Sequence, residues 1–168
     1  RGRARACPGA PRRELGGHAG SRWEGRGPPP RCLTIATSDS GGGAGIQADL
    51  KAFAAAGCHG MTAIVGVTAQ NTLAILATHQ LPAWIITAQL EALQSDIGVD
   101  AAKTGALLSA EVITVVADFL EAHPMPLVVD PGPQAITGAP LPAPEAIERL
   151  TLRLPRPAPG GTPNHTPL

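Results

Sequence analysis

The chain has 168 residues, enough for one hydrophobic core, and no formal net charge. Charge is unevenly spread: residues 1–31 hold eight Arg against two Glu, and residues 32–168 hold five basic against eleven acidic side chains, a mildly acidic body that argues against a nucleic-acid surface. Two Trp, two Phe and no Tyr give no base-stacking platform, three scattered Cys give no disulfide framework or zinc site, and no apolar run reaches membrane-spanning length.

Residues 1–31 are dominated by Arg, Gly and Pro and carry no apolar periodicity. Such a segment cannot bury enough surface to offset its ordering entropy. An Arg-rich, acid-poor start also fits a transit peptide, but its Pro and Gly break the amphipathic helix a transit peptide needs. A basic arm for nucleic acid is a third reading. The expectation is a disordered extension at 1–31, followed by a folded body at 32–168. Cys7, Cys32 and Cys58 read as free thiols of a reducing cytoplasm.

Leu33 to Thr37 is a short apolar run that reads as a buried strand. Ser38-Asp39-Ser40 and Gly41-Gly42-Gly43-Ala44-Gly45 follow as a bare-backbone loop. Ile46 opens a helix with Ile46, Leu50, Phe53 and Ala54 on one stripe. Strand, glycine loop and helix is a geometry that points free N–H groups and a helix dipole at a ligand. The loop does not end in Gly-Lys-Ser/Thr, so it is not assigned to ATP phosphates.

Met61 to Val67 reads as a second strand, with the polar stretch Thr68 to Thr72 at its carboxyl end. A helix is expected over residues 83–97, facing inward through Ile86, Leu90, Leu93 and Ile97. Val99 to Lys103 is a short strand, followed by a loop at Thr104-Gly105. Ser109 can cap a helix over residues 110–122, with Val112, Val116, Phe119 and Leu120 inward and Pro124 closing it. Pro126 to Asp130 is a wholly apolar run ending in a carboxylate, the pattern of a central parallel strand. A last helix is expected at about 143–153, and the final stretch to Leu168 is rich in Pro and Gly.

Strands alternate with helices, so the class is α/β with a mostly parallel sheet and right-handed crossovers. Ligands bind such sheets at the carboxyl ends of the strands. Ser38 to Gly45, Thr68 to Thr72, Lys103 to Gly105 and Asp130-Pro131 all fall there. A dinucleotide-binding fold is disfavoured, because the glycines are not in G-x-G-x-x-G register and no acidic residue suitably ends the second strand.

SDSGGGAGIQADLKAFAAAG, VTAQNT, DAAKTGALLSAE, VVDP, TGAPL and, at 162–164, TPN occur in this order. Together they resemble the bacterial hydroxymethylpyrimidine/phosphomethylpyrimidine kinases of thiamine biosynthesis, of the ribokinase-like superfamily. The resemblance runs from about Cys32 to about Asn164. It implies a three-layer ribokinase-like α/β fold with a mostly parallel central sheet, truncated at its C-terminal side. It implies ATP and Mg2+ as phosphoryl donor and metal, a small pyrimidine as substrate, a cytoplasmic location, no nucleic-acid or membrane partner, and a possible homodimer.

By that resemblance Gln70 hydrogen-bonds the pyrimidine edge, and an amide carries the donor and acceptor an aminopyrimidine needs. Asp49 lies near the substrate, and Gly42, Gly43 and Gly45 form the loop that encloses it. Asp130 lies towards the metal and phosphates. Lys103 matches the lysine of KTG and reads equally as structural or functional. The bland alternatives are a strand-end polar residue for Gln70, a first-turn carboxylate for Asp49, and a strand-end carboxylate bound to N–H groups for Asp130.

The chain departs from the family pattern at Thr37, where a glycine is usual, and at Ala106, where methionine is usual. It departs again over 132–138, with Ile136 at a lysine position, and at Pro167, at a glutamate position. By the same resemblance the family's anion hole, the catalytic residue within it and most of the adenine pocket belong to a second half that would lie beyond Leu168. No catalytic residue is therefore assigned up to Leu168, and the chain as given is expected to lack kinase activity. Two other readings stand beside the pyrimidine kinase: a pyridoxal kinase-like enzyme, and a non-catalytic, degenerate substrate-binding fragment.

Overall fold

The computed structural model describes residues 27–130. The expected helix at 143–153, Ile136, residues 162–164, Pro167, Cys7 and the expected extension up to residue 26 lie outside the described residues. So does Leu168, and with it the expectation that the anion hole would lie beyond that residue.

Five strands form one sheet: β1 (Arg31–Asp39), β2 (His59–Gln70), β3 (Ile75–Gln80), β4 (Ala101–Thr104) and β5 (Leu127–Val129). Their order is β3-β2-β1-β4-β5. Every pairing is parallel except that of β2 with β3. Helices α1 (Gly45–Ala55), α2 (Ala83–Ala92) and α3 (Ala110–Ala122) cover the sheet.

The alternation along β1 explains the layers. Leu33 and Ile35 join Met61, Ala63 and Val65 of β2 in one buried cluster with Ile86 and Leu90 of α2 and Val112, Val116 and Phe119 of α3. Thr34, pointing the other way, reaches Asp49 of α1. A strand buried on both faces must sit centrally, and Leu33 to Thr37 are all buried. The α/β class and mostly parallel sheet are thus as expected, and among the described residues the central strand is β1. Among the described residues β5 is three residues long and pairs with β4 alone. Its pairing with β4 is parallel, and Val128 is exposed.

Ser109 caps α3, its Oγ accepting from Val112 N at 3.3 Å. Val112, Val116, Phe119 and Leu120 are buried as expected, joined by Ile113 and Ala117. In α1, Ile46 is buried and Leu50 and Phe53 are half-buried, but Ala54 is exposed. Leu50 and Phe53 seat on β2 at Gly60, where a Cβ would stand 2.8 Å from Leu50 Cδ2. The 83–97 helix is α-helical to Ala92 and widens into a π-helical turn over Leu93–Ile97. That turn leaves Ile97 exposed rather than inward.

Strand β3 has no counterpart in the sequence reading. Ile75 to His79 are all exposed, so no buried alternation marks it. Asn71 closes the hairpin, its Oδ1 accepting from Leu73 N at 2.8 Å and Ala74 N at 2.9 Å. Beyond the end of β3 the backbone of Ile64 would lack a partner on that side. Gln89 of α2 fills the gap: its Oε1 accepts from Ile64 N and its Nε2 donates to Ile64 O, each at 2.9 Å.

Arg31, the last residue of the expected extension, is the first of β1. Its guanidinium grips Asp100, with Nη2 at 2.5 Å from Oδ1 and Nε at 3.0 Å from Oδ2. Arg31 N also donates to Asp100 Oδ2, and Nη1 to Ile97 O. Asp100 is held down at about 2, first by the Arg31 side-chain hydrogen bonds and then by its backbone N–H.

Candidate functional site

The carboxyl ends of β1, β2 and β4 bring most of the expected polar clusters to one edge. The first is the glycine loop after β1. The N–H groups of Gly41 to Ala44 are not free. Asp39 turns its carboxylate back into the loop and accepts from Gly41 N at 2.7 Å, Gly43 N at 3.0 Å and Ala44 N at 2.8 Å. The expectation of free donors aimed at a ligand is therefore corrected for Gly41 to Ala44, whose N–H groups are taken by the carboxylate and backbone carbonyl of Asp39. Burial pushes the Asp39 carboxyl up, but the N–H groups of Gly41, Ala44, Gly43 and Gly42 outweigh it and leave its pKa below the ordinary value. An incoming anion would meet this negative charge.

Each glycine of the loop has a distinct place. Gly42 (φ +72) donates to Asp39 O and accepts from Lys51 Nζ at 2.6 Å. Gly43 gives its N–H to Asp39. Gly45 (φ +55) packs against β1 so closely that a Cβ would lie 2.2 Å from Thr37 O. Gln47 tightens the same corner, accepting from Asp39 N at 2.8 Å and donating to Ser38 Oγ at 2.6 Å.

Gln70, at the end of β2, is stitched to this loop. Ser40 Oγ donates to Gln70 O at 2.8 Å and accepts from Gln70 N at 2.7 Å. Thr68 Oγ1 lies 3.2 Å from both Ser38 O and Gln70 Oε1, and its single proton serves one at a time. Among the described residues Gln70 Nε2 has no partner. The amide is thus fixed by its backbone and open at its tip. Thr68 to Gln70 belong to the strand rather than to a segment beyond it.

Asp49 lies under α1, away from this loop's donors. It accepts from Thr34 Oγ1 at 2.6 Å and pairs with Lys103 Nζ at 3.2 Å. Lys103 also stands 3.6 Å from Asp130 Oδ2, so one ammonium bridges two carboxylates. Lys103 is more than a strand residue: it ties α1 to the end of β5.

Two features escaped sequence reasoning. Asp39 is one; its signal was a lone acid shortly before a run of glycines. Leu108 is the other. It is the single described non-glycine residue with positive φ (+65), and its Cδ1 lies 2.6 Å from where a Cβ on Gly66 would be. Nothing in ALLS announces that conformation.

Asp130 is 37% exposed on its side chain. Among the described residues no group of three or more His, Cys, Asp or Glu could hold a metal ion. A magnesium ion carried in by nucleotide phosphates needs only one or two carboxylates, and Asp130 fits that lesser demand. Among the described residues no helix is long and apolar enough to cross a membrane.

A sequence profile of a family described as phosphomethylpyrimidine kinase matches residues 39–167. A hydroxymethylpyrimidine/phosphomethylpyrimidine kinase of Haemophilus influenzae is 51% identical over 123 residues, covering 73% of this chain and 46% of that protein. Its counterpart in Streptomyces coelicolor is 47% identical over 136 residues, covering 81% and 51%. Among solved structures, phosphomethylpyrimidine kinase from Clostridium difficile 630 superposes with a TM-score of 0.65 at 46% identity, covering 72% of this chain and 53% of that one. Pyridoxal kinase from Staphylococcus aureus, in complex with AMP-PCP and pyridoxal, gives 0.62 at 34% identity, covering 76% and 45%. The chain spans about half the length of the curated relatives it matches.

Proposed function

The chain belongs to the phosphomethylpyrimidine kinase family, and on that premise we propose that it is the pyrimidine-binding portion of an ATP-dependent kinase of thiamine biosynthesis. The substrates are 4-amino-5-hydroxymethyl-2-methylpyrimidine and its monophosphate. The domain is cytoplasmic, comprises the body from β1 onward and is preceded by the Arg-, Gly- and Pro-rich extension.

The observation that carries this reading is the Ser40 stitch between the glycine loop and Gln70. It makes the enclosing loop and the amide one unit. In the proposal Gln70 reads the ring edge, offering Nε2 as donor and Oε1 as acceptor. Gly42 and Gly43 let the backbone approach the ring, and Gly45 anchors the loop to β1. Asp49 supports the floor through Lys103, and Asp130 faces the nucleotide end. ATP with Mg2+ supplies the phosphoryl group and part of its charge neutralisation. This chain's residues bind and orient the ring.

A second reading has its own support. Pyridoxal kinases superpose about as well as the pyrimidine kinase does. A pyridoxal ring lacks the 4-amino group that suits Gln70. Calorimetry with both rings separates the two, and tighter binding of pyridoxal would replace the first reading with the second. Gln70→Ala is expected to weaken pyrimidine binding by about 1–3 kcal/mol, the effect of leaving a ligand group unpaired. Equal affinity of the two proteins would remove Gln70 as the reader.

A homodimer is part of the proposal. Leu73 (91% exposed), Leu76 (73%) and Trp84 (71%), from the β2–β3 turn, β3 and α2, are exposed apolar side chains suited to burial against a second copy. Sedimentation of Leu76→Glu beside the parent chain tests it, with loss of a dimer expected.

A further inference from the structure

We infer that Asp39 is a positioning residue, whose ionised carboxylate holds the Gly41–Ala44 backbone in the one conformation that receives the substrate ring. The inference rests on the pyrimidine-binding reading and deepens it.

Four glycines among the five loop residues 41–45 make this segment conformationally permissive, and a flexible loop would lose much entropy on closing over a ligand. The structure removes that cost in advance. One carboxylate takes three N–H groups from three positions, and two of these share Oδ2. Asp39 itself cannot drift. It is buried, it is the last residue of β1, and its own N–H is fixed by Gln47. From outside, Lys51 Nζ binds Gly42 O, so the loop is clasped on both sides. Through Ser40 the same loop is joined to Gln70. Releasing Asp39 would therefore disorder the loop and loosen the reader amide together, without removing any atom that meets the ligand.

Charge is essential to this role. A carboxylate offers two acceptor oxygens to three donors. An amide offers one oxygen and an NH2 that cannot accept, so at least one N–H loses its partner in Asp39→Asn.

The test is calorimetry with 4-amino-5-hydroxymethyl-2-methylpyrimidine on the parent chain, Asp39→Asn, Lys51→Ala and Asp100→Asn, with amide hydrogen exchange read at Gly41, Gly43 and Ala44. Asp39→Asn is expected to bind about tenfold more weakly. The three loop amides are expected to exchange faster while Leu33 to Thr37 stay protected. Asp100→Asn, which breaks the pair at the far end of β1, is expected to leave affinity unchanged. Equal affinity of Asp39→Asn and the parent overturns the inference alone. Failure of the parent to bind the pyrimidine overturns both the inference and the reading beneath it. If Asp39→Asn does not fold, Lys51→Ala decides. That side chain is exposed, and its loss is expected to weaken binding about threefold; an unchanged affinity overturns the inference.

Discussion

The two ends of β1 are each secured by an aspartate, by opposite means. At the amino end Asp100 lies on the surface and faces a full positive charge, the Arg31 guanidinium. At the carboxyl end Asp39 is buried and faces only neutral backbone N–H groups. An exposed ion pair is screened by water and salt, and contributes little to stability. A buried carboxylate bound by several N–H groups is screened far less, and its loss strands donors that have no other partner. The strand is therefore stapled loosely where the chain enters and firmly where a ligand is expected.

The largest expected effect is at the firm end. Gly45→Ala places a methyl against Thr37 O in a left-handed backbone conformation. We expect loss of cooperative thermal melting. A variant that melts like the parent would show that α1 can move off β1.

Acid titration separates the two ends next. Both carboxyls have folded pKa values below their unfolded ones. Each therefore stabilises the fold above the unfolded pKa, and that stabilisation fades as pH falls through the folded value. For Asp100 the window runs from about 3.8 down to about 2. Urea midpoints measured across it should fall in the parent and be flatter in Asp100→Asn, which lacks the group that titrates there, than in Asp39→Asn. The reverse ranking would invert the comparison.

Arg31→Ala should have a smaller effect, a modest drop in melting temperature that shrinks further in 0.5 M salt (about a 4–5 Å Debye length). A drop that persists at high salt would show that the contact with Ile97 O, rather than the charge, holds this end.

The smallest effect is one of reactivity. Cys32 adjoins the loose end, and its thiol is pushed up to about 11, first by burial, then by the hydrogen bond and charge of Cys58, and then by Asp100. It should alkylate slowly at pH 8 under mass-spectrometric readout. Rapid labelling of Cys32 would mean that this end opens often.

Much of this was legible in the sequence. Helix α3 announced itself because Ser109 precedes a run whose apolar spacing matches one helical face. The central strand and its partner showed as β-branched apolar runs, although the run at Leu127–Val129 looked equally central. Strand β3 was hidden because both of its faces are exposed, and no hydrophobic periodicity is required where nothing is buried. At the site, the glycines and Gln70 were visible through the motifs they share with relatives. Asp39 was not. Its bonds run to residues two, four and five positions ahead, whereas the cap position of α1 is held by Ala44, so the usual spacing of a capping acid is absent.

Gln89 has a consequence for the company this protein keeps. By satisfying both the N–H and the C=O of Ile64, its amide imitates a single residue of a neighbouring strand. An unguarded strand border recruits foreign strands and seeds fibrils. Here the stretch past the end of β3 is already taken by a side chain anchored in a helix, and a passing strand finds no register in which to begin. The same device marks where β3 stops along β2.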